Sequence, residues 1–293
     1  MNQPAARNVV GLWRTAIGIA RLVRLSNSLP ASMLVLIGAY LASGWPLPRP
    51  AWQAAAAMWC VTAFGYASND YFDVKEDSIN KPDRPLPASI VSAKAAAWLA
   101  GGLALGAIGF SWPIGGLAIS VACGVLGLLT LYNLWLKATP GGGNLLIALL
   151  AGCTLFVGSI ATRGLNRSAI EPLFAPFSVL TAFVATREIL KTLEDIEGDR
   201  MAGKQTIATR WGAQRVIRII AQLNTLTILL SLVPFIWFGY SINYLWIISL
   251  GVSAPLLFTT FYLWQDASPR RVSRCLALLK GSYFAGLIAL VLA

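Results

Sequence analysis

The sequence predicts an all-α polytopic membrane protein in which nine transmembrane helices form a bundle around a central cavity. Hydrophobic residues make up 57% of the 293 positions and charged residues only 12%, a composition well outside that of soluble domains. Apolar runs of about 20 residues, the length that crosses a bilayer, recur along the chain. Tryptophan and tyrosine cluster near the ends of many of these runs, which is typical of membrane interfaces.

The apolar runs place the nine predicted spans at 29–47, 51–69, 91–111, 114–134, 144–162, 172–193, 216–239, 243–264 and 275–293. Residues 1–28 form an amphipathic stretch with dispersed arginines, which predicts a helix lying on the membrane surface rather than a cleavable signal peptide. No linker or low-complexity segment divides the chain, so residues 1–293 are predicted to form a single membrane domain.

The distribution of basic residues predicts the orientation. If the N-terminus is cytoplasmic, then of the 23 Lys and Arg residues only Arg49, Arg163 and Arg167 fall on the outer side. This asymmetry follows the positive-inside rule, so the net charge of +11 reflects topology and not nucleic-acid binding. The chain has no histidine and four isolated cysteines, which excludes histidine-based catalysis and argues against disulfides and zinc sites.

Two short segments contain all of the 12 carboxylates except Glu171 and Asp266. The first runs from Asn69 to Asp83 and the second from Glu188 to Asp199. Both lie at predicted cytoplasmic ends of spans, where acidic residues are costly and usually functional. The two segments form a weak internal repeat, because each is followed by a basic turn and then by the next span.

Helical spacing places the acids of each segment on one face. Asp70, Asp73 and Asp77 fall at i, i+3 and i+7, and Asp195 and Asp199 fall at i and i+4. Because like charges at this spacing repel, a bound cation or nearby basic residues must compensate them. Oxygen ligands without histidine or thiolate favour Mg²⁺, which is often shared with a substrate phosphate. The competing interpretation is a set of solvated loop charges.

Basic and aromatic residues accompany the acids. A mixed set of acids and bases fits a metal–diphosphate ligand better than a bare cation. The candidate diphosphate ligands at this face are Lys81, Arg84, Lys137, Lys204, Tyr132 and Asn144. Aromatic residues within the spans are candidates to line a prenyl tunnel and stabilise a carbocation, with lipid-facing packing as the alternative: Tyr66, Phe72, Phe156 and Phe183.

Two motifs carry a specific resemblance. Residues 69–77 read N-D-x-x-D-x-x-x-D, followed by Arg84-Pro85, and residues 187–199 read R-E-x-x-K-x-x-E-D-x-E-G-D. Over nearly its whole length the chain resembles the UbiA-type intramembrane prenyltransferase superfamily. Its second motif is most similar to that of digeranylgeranylglyceryl phosphate synthases. Lys191 stands where 4-hydroxybenzoate enzymes carry tyrosine, which disfavours a ubiquinone-type acceptor.

The resemblance implies a mechanism in which Mg²⁺ ions and basic residues bind a polyprenyl diphosphate, an allylic cation forms, and a hydrophobic acceptor attacks it. The implied metal ligands are Asn69, Asp70, Asp73, Asp77, Asp195 and Asp199. The expected catalytic set comprises Asp70, Asp73, Asp195, Asp199 and Lys191, with Glu188 or Glu194 as an acceptor-side base. The expected donor is geranylgeranyl-like, and the expected acceptor is a geranylgeranylglyceryl phosphate-like lipid.

Other functions compete with this prediction. An aromatic prenyltransferase, with a quinone-type, phenolic or quinolone-type acceptor, and a UbiA-type terpene cyclase would both share the metal motifs. An ion-coupled transporter would place acids at mid-membrane in broken helices, whereas these acids lie at span ends. A CDP-alcohol phosphotransferase would need a D-G-x-x-A-R spacing that the sequence lacks, and a membrane scaffold would not need the acidic spacing.

Overall fold

The computed structural model describes the backbone of residues 3–293 and the side chains of residues 13–293. Its α-helices are α1 (Gln3–Leu22), α2 (Leu25–Ser43), α3 (Arg49–Phe72), α4 (Val74–Asn80), α5 (Ala93–Ser111), α6 (Gly116–Leu134), α7 (Gly142–Arg163), α8 (Arg167–Ile170), α9 (Phe174–Glu194), α10 (Ile196–Met201), α11 (Ile207–Trp211), α12 (Ala213–Phe238), α13 (Ile242–Ile248), α14 (Ala254–Gln265) and α15 (Pro269–Val291). Short 3₁₀ turns lie at Leu136–Ala138 and Glu171–Leu173, and a π-helical turn at Ser249–Ser253 joins α13 to α14.

Within these residues, eight helical segments are long and apolar enough to cross a membrane. They correspond to α2, α5, α6, α7, α8–α9, α12, α13–α14 and α15. The 24-residue helix α3 is a ninth long member of the bundle. Polar residues such as Gln53, Ser68 and Asp70 lie within it. The predicted fold class is confirmed: the chain is an integral membrane protein built from helices.

The predicted spans agree with the long helices to within a few residues, and the larger shifts have local causes. The first span begins four residues earlier than the predicted 29, and the ninth begins six residues earlier than the predicted 275. Arg24 adopts a left-handed conformation with φ of 45° and separates α1 from α2. The same helix ends at Gly44, whose φ of 72° is strained for residues with a side chain. In the eighth span, the π-turn ends two residues before Pro255, which has no backbone N–H to donate.

The helices of the bundle form two apolar clusters that share α2 and α7. One cluster joins α2 and α7 to α9, α12, α13, α14 and α15, and the other joins α2 and α7 to α3, α5 and α6. Two glycines allow α2 and α7 to cross closely. A Cβ added to Gly38 would lie 2.0 Å from the Leu155 carbonyl oxygen, and one added to Gly158 would lie 1.8 Å from that of Val35. Small residues permit such backbone approach between membrane helices.

Both acidic motifs lie at the same end of the bundle, although they are far apart in sequence. We call this the polar end; it comprises residues 73–92, 135–141, 195–212 and 266–268, which connect the long helices there. The fold thus brings into contact the short helices α4 and α10, which follow the C-terminal ends of α3 and α9. This contact creates the candidate active site.

Candidate active site

The first acidic motif spans a break between two helices. At Asp73, φ is −97° and ψ is 14°, so α3 ends and α4 begins. The Asp73 amide still donates to the Asn69 carbonyl at 2.9 Å, and the Asp77 amide donates to the Asp73 carbonyl at 2.8 Å. These i to i−4 bonds preserve the helical phase across the break. Asp70, Asp73 and Asp77 therefore face the same side, as their spacing predicts.

The second motif repeats this local structure. At Asp195, φ is −95° and ψ is 6°, and this residue separates α9 from α10. The Asp195 amide donates to the Lys191 carbonyl at 2.9 Å, and the Asp199 amide donates to the Asp195 carbonyl at 3.0 Å. The weak internal repeat in the sequence thus corresponds to the same broken-helix geometry at both motifs.

The two motifs contact each other directly. Lys81 Nζ, just after α4, donates to Asp195 Oδ1 at 2.6 Å. The Gly198 amide in α10 donates to Asn80 Oδ1 at 3.1 Å. A Cβ at Gly198 would lie 2.1 Å from Asn80 Nδ2, so only glycine fits this approach of α10 to α4. One ion pair and one hydrogen bond therefore bind the motifs together.

The Asp73 carboxylate accepts hydrogen bonds from two lysines that lie in different loops. Lys137 Nζ lies 2.6 Å and Lys204 Nζ 3.0 Å from its Oδ1. Lys204 also reaches Glu76 Oε1 at 3.0 Å. Burial of Asp73 disfavours its charged form, but the attraction and hydrogen bonds of the two lysines outweigh burial, so the pKa of this carboxyl is lowered. The carboxylate is thus held ionised and able to interact with cations.

Asp70 and Asp77 share one arginine. Arg84 Nη1 lies 2.5 Å from Asp77 Oδ2 and 3.3 Å from Asp70 Oδ1. Arg24, between α1 and α2, contributes a second guanidinium 2.5 Å from Asp70 Oδ1. Burial is the main cause of a raised pKa at Asp77, and repulsion from Asp70 and Asp73 adds to it, although Arg84 opposes the shift. These carboxylates are 3% and 8% exposed, so the arginines compensate charges that water barely reaches.

Asp199 has a different electrostatic environment. Its pKa is raised from 3.8 to about 6, and burial is the main cause. The nearby charges of Asp195 and Asp73 add to the shift, while Lys204 and a hydrogen bond from Thr206 oppose it. Asp73 and Asp199 are therefore perturbed in opposite directions at one end of the bundle. Strongly perturbed carboxylates of this kind are typical of functional sites.

The donor chemistry of these side chains fits Mg²⁺. The candidate ligands supply hard oxygen atoms alone, as Mg²⁺ requires, and cationic nitrogens already contact Asp70, Asp73, Asp77 and Asp195. Among the described residues, no three acidic, cysteine or histidine side chains converge into a preassembled metal site. The carboxylates are instead engaged by Lys and Arg, which metal ions would have to displace or join.

The remaining predicted polar residues are divided between the centre of the site and its surroundings. Tyr132 lies within electrostatic range of Glu188, Asp73 and Asp199, so these side chains belong together. Glu188 also pairs with Lys191. The Asn144 amide donates to the Glu188 backbone carbonyl at 2.9 Å and links α7 to α9.

Glu194 is placed apart from this network. It accepts a hydrogen bond from Ser273 Oγ of α15 at 2.5 Å. Asn69 contributes its backbone carbonyl to the helix break at Asp73.

Two of the four predicted pocket aromatics lie beside the site. Lys137 Nζ is 5.7 Å from the centroid of the Phe72 ring, and the Arg24 guanidinium is 4.8 Å from that of Tyr66. Phe183 lies deeper and packs beside Tyr283, with 6.4 Å between the two ring centroids. Phe156 is not brought to the site, because it packs against Phe174 and Phe177 at 5.2 Å in the half of the bundle remote from the polar end.

Three contacting residues were absent from the predicted site. Arg24 falls in the predicted amphipathic stretch, and Glu76 and Asn80 fall in the first acidic segment. No local spacing marks Arg24 as a partner of Asp70, since the residues are 46 positions apart. The sequence does contain a signal for Glu76 and Asn80 as site residues, because both lie in the segment that carries the first motif.

The fold and the two acidic motifs together define a class of membrane enzymes. Residues 31–284 match the model of the UbiA prenyltransferase family. The chain is 33% identical to the digeranylgeranylglyceryl phosphate synthase of Natronomonas pharaonis over 94% of its own length and 96% of that protein. The chain therefore belongs to the UbiA prenyltransferase family and is a prenyltransferase.

Solved structures agree with this assignment. A structure of digeranylgeranylglyceryl phosphate synthase in membranes superimposes with a TM-score of 0.72 at 25% identity, covering 94% of this chain and 97% of the other. A UbiA homologue from Archaeoglobus fulgidus bound to GPP and Mg²⁺ shares the fold, with a TM-score of 0.68 at 17% identity over 94% and 99% of the two chains.

Proposed function

We propose that this chain transfers a geranylgeranyl-like group from its diphosphate to the hydroxyl of a geranylgeranylglyceryl phosphate-like lipid, with Mg²⁺ and with the polar end facing the cytoplasm. Similarity over nearly the full length to a synthase of digeranylgeranylglyceryl phosphate supports the acceptor class. The excess of basic residues at the polar end supports its orientation. The proposed domain is the whole of residues 1–293.

The observation that carries the proposal is the interlocking of two acidic motifs through lysines. Lys81 bridges to Asp195, and Lys204 bridges to Asp73. Neighbouring carboxylates and ammonium groups of this kind suit a ligand that contains both metal ions and phosphate oxygens. A transporter or a scaffold would have no need for lysines from three loops around such acids.

The proposed metal ligands are Asn69, Asp70, Asp73, Asp77, Asp195 and Asp199. Bound Mg²⁺ would neutralise charge that develops on the departing diphosphate. Lys81, Lys137 and Lys204 would bind the phosphate oxygens after exchanging their carboxylate partners, and Arg84, Lys191 and Tyr132 lie at the edge of the same region. Asn144 acts here by positioning α7 against Glu188 of α9.

Transfer proceeds by exchange of one bond at C1 of the prenyl chain. The C1–O bond breaks and its electron pair leaves with the diphosphate, so an allylic cation remains. Phe72 and Tyr66 would stabilise this cation with their ring faces, and the membrane-embedded bundle would exclude water. The acceptor hydroxyl oxygen then forms the new C–O bond, and its proton passes to a base. Glu188 is the better candidate for that base, since it lies near Tyr132 within the site, whereas Glu194 lies apart beside Ser273.

Product analysis by mass spectrometry tests the proposal. Purified protein in detergent would receive Mg²⁺, geranylgeranyl diphosphate and one acceptor at a time, with EDTA as the control. The acceptors are geranylgeranylglyceryl phosphate, homogentisate, 1,4-dihydroxy-2-naphthoate, 4-hydroxybenzoate and none. We expect a metal-dependent ether product with geranylgeranylglyceryl phosphate. An adduct with an aromatic acceptor alone, or a hydrocarbon or alcohol formed without acceptor, would overturn the proposed acceptor.

A further inference from the structure

Arg187 in α9 is a half-buried cation that pairs with no carboxylate of the described residues. Its Nε atom is buried and has no hydrogen-bond partner, and no ion pair joins it to any residue that the structure describes. By contrast, six basic residues around the site each contact a carboxylate: Arg24, Lys81, Arg84, Lys137, Lys191 and Lys204. An unpaired guanidinium inside a membrane protein is costly and marks a functional position.

Arg187 also lies deeper than the proposed diphosphate ligands. It precedes Asp195 by eight residues on one continuous helix, which corresponds to roughly 12 Å along the axis. Its guanidinium and the Tyr66 hydroxyl both lie within electrostatic range of the Tyr283 hydroxyl. Phe183, one turn further along α9, contacts the same tyrosine ring. Arg187 therefore faces the bundle interior between α3, α9 and α15.

An apolar cavity continues from this point toward the opposite end of the bundle. Phe183 and Tyr283 form part of its wall, and Leu34, Pro176 and Leu290 line it further along. The cavity is small, with a volume of about 50 Å³. The contact between Phe183 and Tyr283 places an unpaired cation at one end of this apolar space.

A second, larger cavity lies on the other side of the α2–α7 crossing. Its volume is about 390 Å³, and it lies between α3, α6 and α7, with Met58, Val121 and Val157 in its wall. The bundle therefore offers two separate apolar spaces. Two substrates that each carry a prenyl chain would need two such spaces, whereas an aromatic acceptor would need one.

We propose that Arg187 binds the phosphate of the lipid acceptor, whose prenyl chain extends into the apolar interior beside Phe183 and Tyr283. This inference rests on the proposed function and adds the residue that selects an anionic acceptor over a neutral one. A guanidinium suits a phosphate because it donates several hydrogen bonds in a planar fork. The donor diphosphate stays with the lysines of the polar end.

The test compares geranylgeranylglyceryl phosphate with geranylgeranylglycerol, which lacks the phosphate. In Arg187→Gln we expect KM for the phosphate acceptor to rise roughly tenfold to a hundredfold, as for loss of hydrogen bonds to a charged group. KM for geranylgeranyl diphosphate and for geranylgeranylglycerol should stay within about twofold of wild type. Binding of geranylgeranylglyceryl phosphate in EDTA without donor, followed by tryptophan fluorescence, should weaken by the same factor.

Arg218→Gln is the matched control, because Arg218 is an exposed arginine of α12. We expect this variant to leave KM for both acceptors unchanged. Arg187→Lys keeps the charge without the planar fork, and should retain part of the preference for phosphate. If Arg187→Gln does not fold, Arg187→Lys becomes the test. An equal rise in KM for both acceptors in that variant would overturn the inference.

Two other outcomes separate this inference from the proposed function. A raised donor KM, or an unchanged preference for phosphate in Arg187→Gln, would overturn the role of Arg187 while leaving the transferase intact. Wild-type protein that uses neither glycerolipid but does use an aromatic acceptor would overturn the acceptor class itself, and the inference with it.

Discussion

At the scale of single residues, the site is a set of carboxylates with unlike electrostatic environments. Asp73 is held ionised by Lys137 and Lys204, whereas burial keeps Asp199 prone to protonation. Both side chains have the same chemistry and lie in equivalent short segments. Their partners, and not their intrinsic acidity, therefore decide how each responds to pH.

The first prediction concerns Asp199. Its folded-state pKa of about 6 lies above the ordinary 3.8, so the stability gained from its neutral form is present below about pH 4 and lost as the pH rises through about 6. We expect Asp199→Asn to remove this decline from the pH profile of thermal unfolding, measured in detergent with EDTA. Asp266→Asn, in an exposed turn, is the control. An unchanged profile in Asp199→Asn would contradict the assigned environment.

The second prediction concerns Arg84, which compensates both Asp70 and Asp77. Arg84→Gln leaves buried carboxylates with reduced compensation, and loss of one partner from a buried ion pair costs about 3–5 kcal/mol. We therefore expect a clearly lower melting temperature for this variant, while Arg270→Gln, at an exposed position, should leave it unchanged. Adding Asp77→Asn to Arg84→Gln should restore part of the lost melting temperature. A double variant with purely additive destabilisation would contradict this pairing.

The spacing of the acids was predictable from the sequence, but several of their partners were not. Asp70, Asp73 and Asp77 share a face because helical periodicity is local. Arg24 meets Asp70 only because α2 packs against α3, and Lys137 meets Asp73 only because the 3₁₀ turn after α6 reaches the end of α3. Such contacts depend on tertiary packing, which single-sequence patterns do not encode.

At the scale of secondary-structure elements, the site depends on two matching helix breaks. The pairs α3–α4 and α9–α10 are each broken at an aspartate while i to i−4 hydrogen bonding continues. The span positions could be predicted because membrane thickness fixes their length. The breaks could not, since neither Asp73 nor Asp195 is a proline or glycine that would mark a helix end.

The third prediction tests the contact between α4 and α10. In Gly198→Ala the new methyl group would overlap the Asn80 amide, so we expect the two motifs to separate and the rate of prenyl transfer to fall at least about tenfold. Gly127→Ala, at a helical glycine with open space around it, should be neutral.

The rescue variant for this contact is Asn80→Ala combined with Gly198→Ala, which removes the overlapping amide. Transfer should increase relative to Gly198→Ala alone. If the double variant is as slow as the single one, steric overlap is not the cause.

At the scale of the whole molecule, the bundle separates its chemistry from its apolar spaces. Charged residues of both motifs collect at the polar end, and two apolar cavities extend from the interior toward the other end. This arrangement suits amphiphilic substrates, whose phosphates and prenyl chains need opposite environments. The sequence predicted the bundle and its polar end, while the two cavities depend on how α2, α7, α9 and α15 pack.

The fourth prediction concerns orientation. In a variant without Cys60, Cys123, Cys153 and Cys275, single cysteines would replace Asp83 at the polar end or Leu165 at the opposite end. A membrane-impermeant maleimide added to intact cells should label position 165 and not position 83, because basic residues favour the cytoplasm. Labelling of position 83 should appear after the membrane is permeabilised. Labelling of position 83 in intact cells would reverse the proposed topology.

The most direct test of the central claim is prenyl transfer by Asp195→Asn beside Asp266→Asn, with Mg²⁺, geranylgeranyl diphosphate and geranylgeranylglyceryl phosphate. Asp195 links the two motifs through Lys81 and is partly exposed, so its replacement should spare the fold, as thermal unfolding would check. We expect Asp195→Asn to lose transfer by at least about a hundredfold while Asp266→Asn retains it. A folded Asp195→Asn protein with wild-type turnover would contradict catalysis at the two acidic motifs.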